Sequence, residues 1–251
     1  GTEIGALSDH WLPLIASGDA VAAVGLSGMH AVPGAVGADV YILESAAQPD
    51  GGSEIHALPP DKVAVTPIES LDPTRRLGTV DWTPVPSTLV SAGSDAESAL
   101  AILADRAALG TAAELVGLAD RMITMAADYA MERKQFGRAI GSFQAVKHLL
   151  AGAQVKLEFA RPVTYAAAWS LAHRAPDASR RASMAKAYAS EAATEAARVS
   201  LQVHGAIGYT WECDLHLFLK RAWALAPAWG DAAEHRSRVL ASVVDERAAQ
   251  D

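Results

Sequence analysis

Two short segments of the sequence carry side chains that suit an anionic ligand with an aromatic part. The first, ERKQFGR at 132–138, places the guanidinium of Arg133 near the ring of Phe136 at a predicted corner between two helices. A guanidinium can pair bidentately with a pyrophosphate, and a phenyl ring can pack against an adenosine. The second, QVHGAIGY at 202–209, has two glycines that let backbone approach a ligand, beside the amide of Gln202. Each feature alone also fits a structural role, Arg133 as a helix cap and Phe136 as core packing.

Several other kinds of site are disfavoured. No glutamate has a histidine three residues later, which argues against a di-iron site. The one cysteine, Cys213, cannot form a zinc cluster or an internal disulfide and is interpreted as structural. GxGxxG and Walker loops do not occur. His204 and His216 lack a nucleophile partner and are interpreted as partly buried histidines. No metal site is expected.

Charge and hydropathy restrict the partners. The 251 residues have a formal charge of −8, which would repel a phosphate backbone, so nucleic acid is not an expected partner. No apolar run approaches the roughly 18 residues that cross a bilayer, and no basic segment followed by an apolar one opens the chain. A cytoplasmic protein without membrane contact is therefore expected.

The elements that position the two segments follow from periodicity. Short β-branched runs punctuated by Pro, Gly and Asp predict a small β domain over 20–92, preceded by a short helix over 9–16. Candidate strands cover 20–26, 39–45, 54–58, 63–68 and 79–83. From residue 93 to 251, Ala, Leu, Glu and Arg dominate and apolar residues recur at steps of three and four, which predicts helices.

The helical region is predicted to form an antiparallel four-helix bundle with an extra arm, so the fold class is α+β. Gly137 is predicted to end the first helix in a left-handed conformation, and Ser142 to cap the second. Pro162 should kink that second helix. Later helices are expected to begin after a turn at 175–177 and to cover 214–225 and 232–247.

Four stretches together resemble the acyl-CoA dehydrogenase family. They are ERKQFGR at 132–138, GSFQ at 141–144, QVHGAIGY at 202–209 and WECDLH at 211–216. The resemblance covers nearly the whole chain and implies the family's order of an N-terminal helical domain, a central β domain and a C-terminal four-helix bundle. On this basis residues 1–19 are a remnant of the helical domain, which is otherwise largely absent from the sequence.

The resemblance also implies an FAD site. Family members bind flavin across a subunit interface, so this chain would contact the ADP half of an FAD whose ring lies in the neighbouring subunit. The residues that the resemblance assigns to this role are Arg133, Gln135, Phe136, Gln144, Gln202, Gly205 and Ala206.

The base that acyl-CoA dehydrogenation requires has no visible counterpart. A carboxylate must remove the α proton of the acyl thioester while the β hydrogen leaves as hydride. The two positions at which family members carry this glutamate read Ala107 and Gly230. Asp105 and Asp231 are the nearest carboxylates, but a misplacement of one methylene can cost about 100-fold in rate. Helix capping or solvation is the alternative interpretation of both aspartates. The family's flavin-ring loops are not visible in the β domain either.

Division of labour between subunits accounts for these gaps. The chain resembles the non-catalytic subunit of actinobacterial α2β2 enzymes that act on steroid side-chain CoA thioesters. That resemblance implies a homologous catalytic partner, an acyl-CoA substrate and an acceptor such as an electron-transfer flavoprotein. Two alternatives stay open: a homomeric dehydrogenase that uses Asp105, Asp231 or residues beyond this sequence as the base, and a non-enzymatic bundle that only scaffolds a partner.

Overall fold

The computed structural model of the chain describes residues 2–45 and 52–248, which divide into two compact units at residues 101 and 102. In this part of the chain, no helix combines the length and the apolar character that crossing a membrane requires. Within the same residues, no three His, Cys, Asp or Glu side chains are grouped so that they could hold a metal ion.

The N-terminal unit contains a helix and a small β structure. α1 covers Thr2–Ser17 and includes the predicted 9–16 helix. A four-stranded sheet has the order β1-β2-β3-β6, in which β1 and β2 are parallel and the other neighbours antiparallel. Its strands are β1 Ala22–Gly25, β2 Val40–Ser45, β3 Glu54–Leu58 and β6 Leu89–Ala92. β4 (Val63–Pro67) and β5 (Gly78–Trp82) form a separate antiparallel pair.

The five predicted strands are present, and β6 is an addition. In β1, buried side chains alternate with partly exposed ones, as expected for a half-covered sheet, and Ala23 is fully buried. Tyr41, Leu43 and Leu58 from the neighbouring strands complete the small core. β6 has four residues, directly before a helix, and none of its side chains is buried, so no period-two alternation marks it.

The C-terminal unit is helical. α2 (Gly93–Glu132) begins in the N-terminal unit and continues across the division. The remaining helices are α3 Gln144–Ala172, α4 Ala178–His204, α5 Leu215–Leu225 and α6 Ala232–Ala248. Pro162 lies inside α3, and the helix continues on both sides of it. The predicted α+β class, with β structure preceding a helical bundle, is confirmed.

Contacts between helices establish their directions. Arg161 of α3 bonds Asp120 of α2 at 2.8 Å, while Gly141, before α3, lies against Ala130 near the end of α2. These two contacts run in opposite chain directions, so α2 and α3 are antiparallel. α4 returns parallel to α2, and Ser200 Oγ donates to the carbonyl of Met122 at 2.9 Å.

α4 is the most buried helix of the bundle. Most of its buried side chains are alanine or serine, and the exceptions are Lys186, Val199, Val203 and His204. Small side chains permit neighbouring helix backbones to approach closely. The longer apolar side chains of the bundle core come from the surrounding helices, as with Leu115, Met122, Leu157 and Leu215.

Candidate functional site

A short β-hairpin projects between α2 and α3. β7 (Lys134–Gln135) pairs antiparallel with β8 (Arg138–Ala139), and the turn between them consists of Phe136 and Gly137. Both turn residues have positive φ, 53° and 79°, as a two-residue type I′ hairpin turn requires. A non-glycine residue in this conformation is strained, and Phe136 is nonetheless 91% exposed. Core packing therefore does not explain why a phenylalanine occupies position 136.

The hairpin corrects two sequence predictions. α2 ends at Glu132, five residues before Gly137, so Gly137 serves the hairpin turn and not the helix end. Ser142 does not cap α3, because its hydroxyl donates to the carbonyl of Ala139 and the helix begins at Gln144 without a side-chain cap. Both errors come from treating the segment between the helices as a bare corner.

Three polar residues of the hairpin have side chains that contact no hydrogen-bonding or charged partner within the described residues. These are Arg133, Lys134 and Gln135, and all three are exposed. Arg138 behaves differently, since its guanidinium lies 4.1 Å from the ring centre of Phe143. Phe143 in turn meets Phe136 edge to face at 6.2 Å. The hairpin segment thus carries an unpaired guanidinium, that of Arg133, and an exposed phenyl ring, that of Phe136. These two groups are able to bind a phosphate and an aromatic base.

The second predicted segment ends α4. Gln202 is exposed in the last turn, and Gly205 follows the helix with φ 64° and ψ −139°, a conformation that is essentially restricted to glycine. A short 3₁₀ turn, Gly205–Tyr209, comes next and exposes Ala206. A Cβ on Gly208 would lie 3.0 Å from the Leu201 side chain, so glycine allows this turn to fold back onto the helix.

Both segments lie at the same end of the bundle. Because α2 and α4 are parallel, the hairpin that follows α2 and the turn that follows α4 emerge together, and the rings of Tyr129 and His204 stack there with centroids 4.6 Å apart. The structure therefore brings to one end of the bundle all the residues that the sequence assigned to cofactor binding: Arg133, Gln135, Phe136, Gln144, Gln202, Gly205 and Ala206.

A buried lysine lies in the first half of α4. The Lys186 ammonium donates to Ser190 Oγ at 2.9 Å, to the carbonyl of Ala226 at 2.7 Å and to the carbonyl of Gly230 at 2.9 Å. Burial lowers the pKa of Lys186 to about 8, and the negative charges of Asp231 and Glu234 oppose that shift. These bonds hold the α5–α6 turn, residues 226–231, against α4.

The α5–α6 turn is also held by contacts with the first turn of α6. Asp231 accepts from the N–H groups of Ala233 and Glu234, and Glu234 accepts from the N–H of Asp231 at 2.7 Å, which forms a capping box for α6. His235 is 1% exposed, and its Nε2 lies 2.9 Å from the carbonyl of Trp229. Burial lowers the pKa of His235, so the neutral ring donates through Nε2.

Comparison with known proteins identifies the family to which the chain belongs. The model of the acyl-CoA dehydrogenase C-terminal domain matches residues 99–244, which include both candidate cofactor-site segments and the α5–α6 turn. The chain belongs to the acyl-CoA dehydrogenase family. Members of this family are FAD flavoproteins.

Individual relatives support the same assignment. The acyl-CoA dehydrogenase IpdE2 of Mycolicibacterium smegmatis is 38% identical over 73% of this chain and 54% of its own length. The protein of the same name from Mycobacterium tuberculosis is 35% identical over 83% of this chain and 58% of its own length. The chain thus spans somewhat more than half the length of these two acyl-CoA dehydrogenases.

Solved structures share the fold at low sequence identity. The ChsE4–ChsE5 complex from Mycobacterium tuberculosis contains a chain that is 24% identical, with a TM-score of 0.80 over 96% of this chain and 73% of its own. The Tcur3481–Tcur3483 steroid ACAD G363A variant is also 24% identical, with a TM-score of 0.77 over 90% of this chain and 63% of its own. At these identities the likeness extends to the fold of an acyl-CoA dehydrogenase.

Neither expected position of the acyl-CoA dehydrogenase base carries a carboxylate. Ala107 lies within α2, and Gly230 lies in the α5–α6 turn with φ 95°. The two neighbouring aspartates have other contacts: Asp105 accepts from Ser179 Oγ at 3.1 Å and from the Arg238 guanidinium at 2.8 Å. Asp231 caps α6, as its alternative interpretation held.

Sequence reasoning missed Lys186 and the stacking partner of His204. A single lysine at helical spacing among alanines, as at position 186 between the alanines at 182, 189 and 193, indicates a charge on a buried face, and that signal was available. His204 was interpreted as a partly buried histidine; it is buried, at 7% exposure, and it contacts no nucleophile among the described side chains.

Proposed function

We propose that this chain is the FAD-sharing subunit of a heteromeric acyl-CoA dehydrogenase and that a homologous partner supplies the base. The observation that carries the proposal is the hairpin between α2 and α3. There the guanidinium of Arg133 has no partner among the described residues, and Phe136 is 91% exposed in a strained conformation. Strain and exposure of this kind occur where a ligand or a partner uses the residue.

The residues present fit the ADP half of FAD. Arg133 would pair with the pyrophosphate, and Phe136 would cover the adenosine. The Gly205 turn would bring backbone N–H groups close to the ligand, and the amides of Gln135, Gln144 and Gln202 would supply directional hydrogen bonds. When bound, FAD supplies the hydride acceptor for oxidation of a CH–CH bond.

The missing base supports a role within a complex. Abstraction of the α proton needs a carboxylate near the substrate. Ala107 and Gly230 offer none, while Asp105 is engaged by Arg238 and Asp231 by the α6 backbone. A homomer that uses one of these aspartates would have to break those contacts, so the structure favours a base from a partner subunit.

Substrate and partners follow by analogy with relatives. The proposed substrate is an acyl-CoA thioester into which the complex introduces an α,β double bond. Two structures of the same fold are a two-protein complex, ChsE4–ChsE5, and a steroid ACAD, Tcur3481–Tcur3483. By analogy with them we extend the proposal to a hetero-oligomer, taken as α2β2, and to a steroid side-chain CoA ester as the substrate. An electron-transfer flavoprotein or a similar acceptor would reoxidise the flavin.

Flavin stoichiometry tests the proposal. We expect the protein expressed alone to retain little FAD. Co-expressed with a base-bearing homologue, it should form a complex with an α2β2 mass and two flavins, measured by native mass spectrometry and visible absorbance. A stable, flavin-loaded homotetramer formed without a partner would support the homomeric alternative, and a complex without flavin would support scaffolding.

Replacement of Arg133 tests the site itself. In the complex, Arg133→Ala should weaken FAD binding about 30-fold to several thousand-fold, which corresponds to loss of a charge-assisted contact of about 2 to 5 kcal/mol. Arg133→Lys should restore binding only in part, because an ammonium lacks the planar fork of a guanidinium. Arg236 provides a matched control, since it is an exposed arginine on α6 that pairs with Glu191. Arg236→Ala should leave FAD binding unchanged, and a fully flavinated Arg133→Ala complex would contradict the proposal.

A further inference from the structure

Two aromatic rings join the helix ends at the candidate site. Tyr129 of α2 and His204 of α4 stack with centroids 4.6 Å apart and an angle of 18° between their planes. The Nδ1 atom of His204 lies 2.8 Å from the carbonyl of Ser200, one turn earlier. Because a carbonyl only accepts, Nδ1 carries the proton and this bond fixes the orientation of the ring.

Each ring belongs to a residue that supports a ligand-facing segment directly. The carbonyl of Tyr129 accepts from the N–H of Arg133 at 2.8 Å, at the start of the hairpin. His204 immediately precedes Gly205, whose N–H bonds the carbonyl of Leu201. A displacement of either ring is therefore transmitted through backbone to Arg133 or to the Gly205 turn.

The stack continues a contact that begins deeper in the bundle. Ser200 Oγ donates to the carbonyl of Met122 at 2.9 Å, two turns before Tyr129 on α2. Beyond that contact both helices end: α2 is followed by the hairpin and α4 by the 3₁₀ turn. Segments outside a helix have fewer constraints of their own, so a contact at the helix ends has a large effect on their separation.

We infer that Tyr129 and His204 are positioning residues that set the separation between the Arg133 hairpin and the Gly205 turn, and thereby the affinity for FAD, without touching the ligand. This inference rests on the proposed function. A dinucleotide that is held from two segments needs both at bonding distance at once, so a small relative shift loses contacts on one side. The buried ring of His204 is thus assigned a role in geometry and none in proton transfer.

The test measures FAD affinity and stability separately in the assembled complex. Tyr129→Leu and His204→Leu should each raise the FAD dissociation constant about tenfold, from the usual strength of an aromatic pair. The double variant should also lose about tenfold and not about 100-fold, because either single change already removes the stack. Tyr129→Phe keeps the stacked ring and should stay within about twofold of the wild type.

A second stack in the bundle provides a matched control. Trp169 and His173 stack with centroids 4.3 Å apart, and His173 Nδ1 lies 2.8 Å from the carbonyl of Trp169, at the opposite end of α3 from the hairpin. His173→Leu removes the same kind of contact away from the candidate site. It should leave FAD affinity unchanged.

The outcomes separate this inference from the proposed function. If Arg133→Ala weakens FAD binding while both stack variants only lower the unfolding temperature, the inference is overturned and the proposed function stands. A double variant that loses about 100-fold would also overturn it, since the two rings would then act independently. If Arg133→Ala leaves FAD binding intact, the proposed function itself fails. Should the leucine variants not fold, His204→Phe keeps a ring without the Ser200 bond and should weaken FAD about threefold; wild-type affinity there would contradict the role of the fixed ring.

Discussion

Replacing the buried lysine of α4 should change how the stability of the protein depends on pH. Lys186 is fully buried, and its three donors are taken by Ser190, Ala226 and Gly230. Burial lowers the pKa of this lysine to about 8 from its ordinary value of 10.5. Below pH 8 the lysine is charged in both the folded and the unfolded chain, so the full cost of burying the charge is present. Between pH 8 and 10.5 the unfolded chain keeps a proton that the folded chain has released.

The magnitude follows from that difference in proton binding. Since the unfolded chain binds more protons in this window, the contribution of Lys186 to the free energy of unfolding rises with pH. From pH 7 to pH 10 the rise should be about 2 to 3 kcal/mol. Lys186→Met has nearly the same length but no ionisable group, so its free energy of unfolding should lack this rise.

Chemical denaturation at several pH values measures the effect. Guanidinium unfolding of the wild type and of Lys186→Met should be followed at pH 7, 8, 9 and 10, and the difference between the two free energies plotted against pH. Lys156 is a suitable control because its side chain is 53% exposed on α3, and Lys156→Met should parallel the wild type. Parallel curves for Lys186→Met and the wild type would refute the assignment of a depressed pKa to this lysine.

Three further predictions concern the α5–α6 turn. Gly230→Ala should lower the free energy of unfolding by about 1 to 3 kcal/mol, because a Cβ at φ 95° would lie 2.9 Å from His235 Nε2. Gly230→Glu in the complex should not create a second working site, and a doubled turnover per complex would contradict this. Asp231→Ala should cost about 1 kcal/mol in thermal or chemical unfolding through loss of the α6 cap, with turnover of the complex unchanged, and a loss of turnover well beyond that cost would identify Asp231 as a base.

Periodicity was sufficient for the long elements and failed for the short ones. Apolar positions at helical spacing placed α3 and α4 closely, because a helix of many turns repeats its pattern several times. The hairpin of β7 and β8 pairs only two residues on each strand, too few for any period. Its turn depends on a positive φ at Phe136, a conformation that residue type does not indicate.

The candidate site was predictable in its members but not in its environment. Four sequence stretches pointed to Arg133 and Gly205, and the parallel run of α2 and α4 places both at one end of the bundle. What the sequence could not give is which charges are paired. The guanidinium of Arg138 lies over the ring of Phe143, whereas that of Arg133 has no partner among the described side chains, although the two arginines are five residues apart in one motif. Tertiary packing decides this difference.

The alanine-rich face of α4 has a consequence for which substitutions this helix can accept. Truncation of core side chains usually dominates the harmful substitutions in a bundle, but α4 has little left to truncate. Larger side chains at its alanine positions should instead be the destabilising substitutions, because an added methyl group has to displace a neighbouring backbone. Substitutions tolerated in this bundle should therefore differ between helices. In α2 and α5 one large apolar residue can replace another, whereas the buried face of α4 should accept only small residues. That restriction preserves the spacing between α4 and its neighbours while other positions of the bundle change.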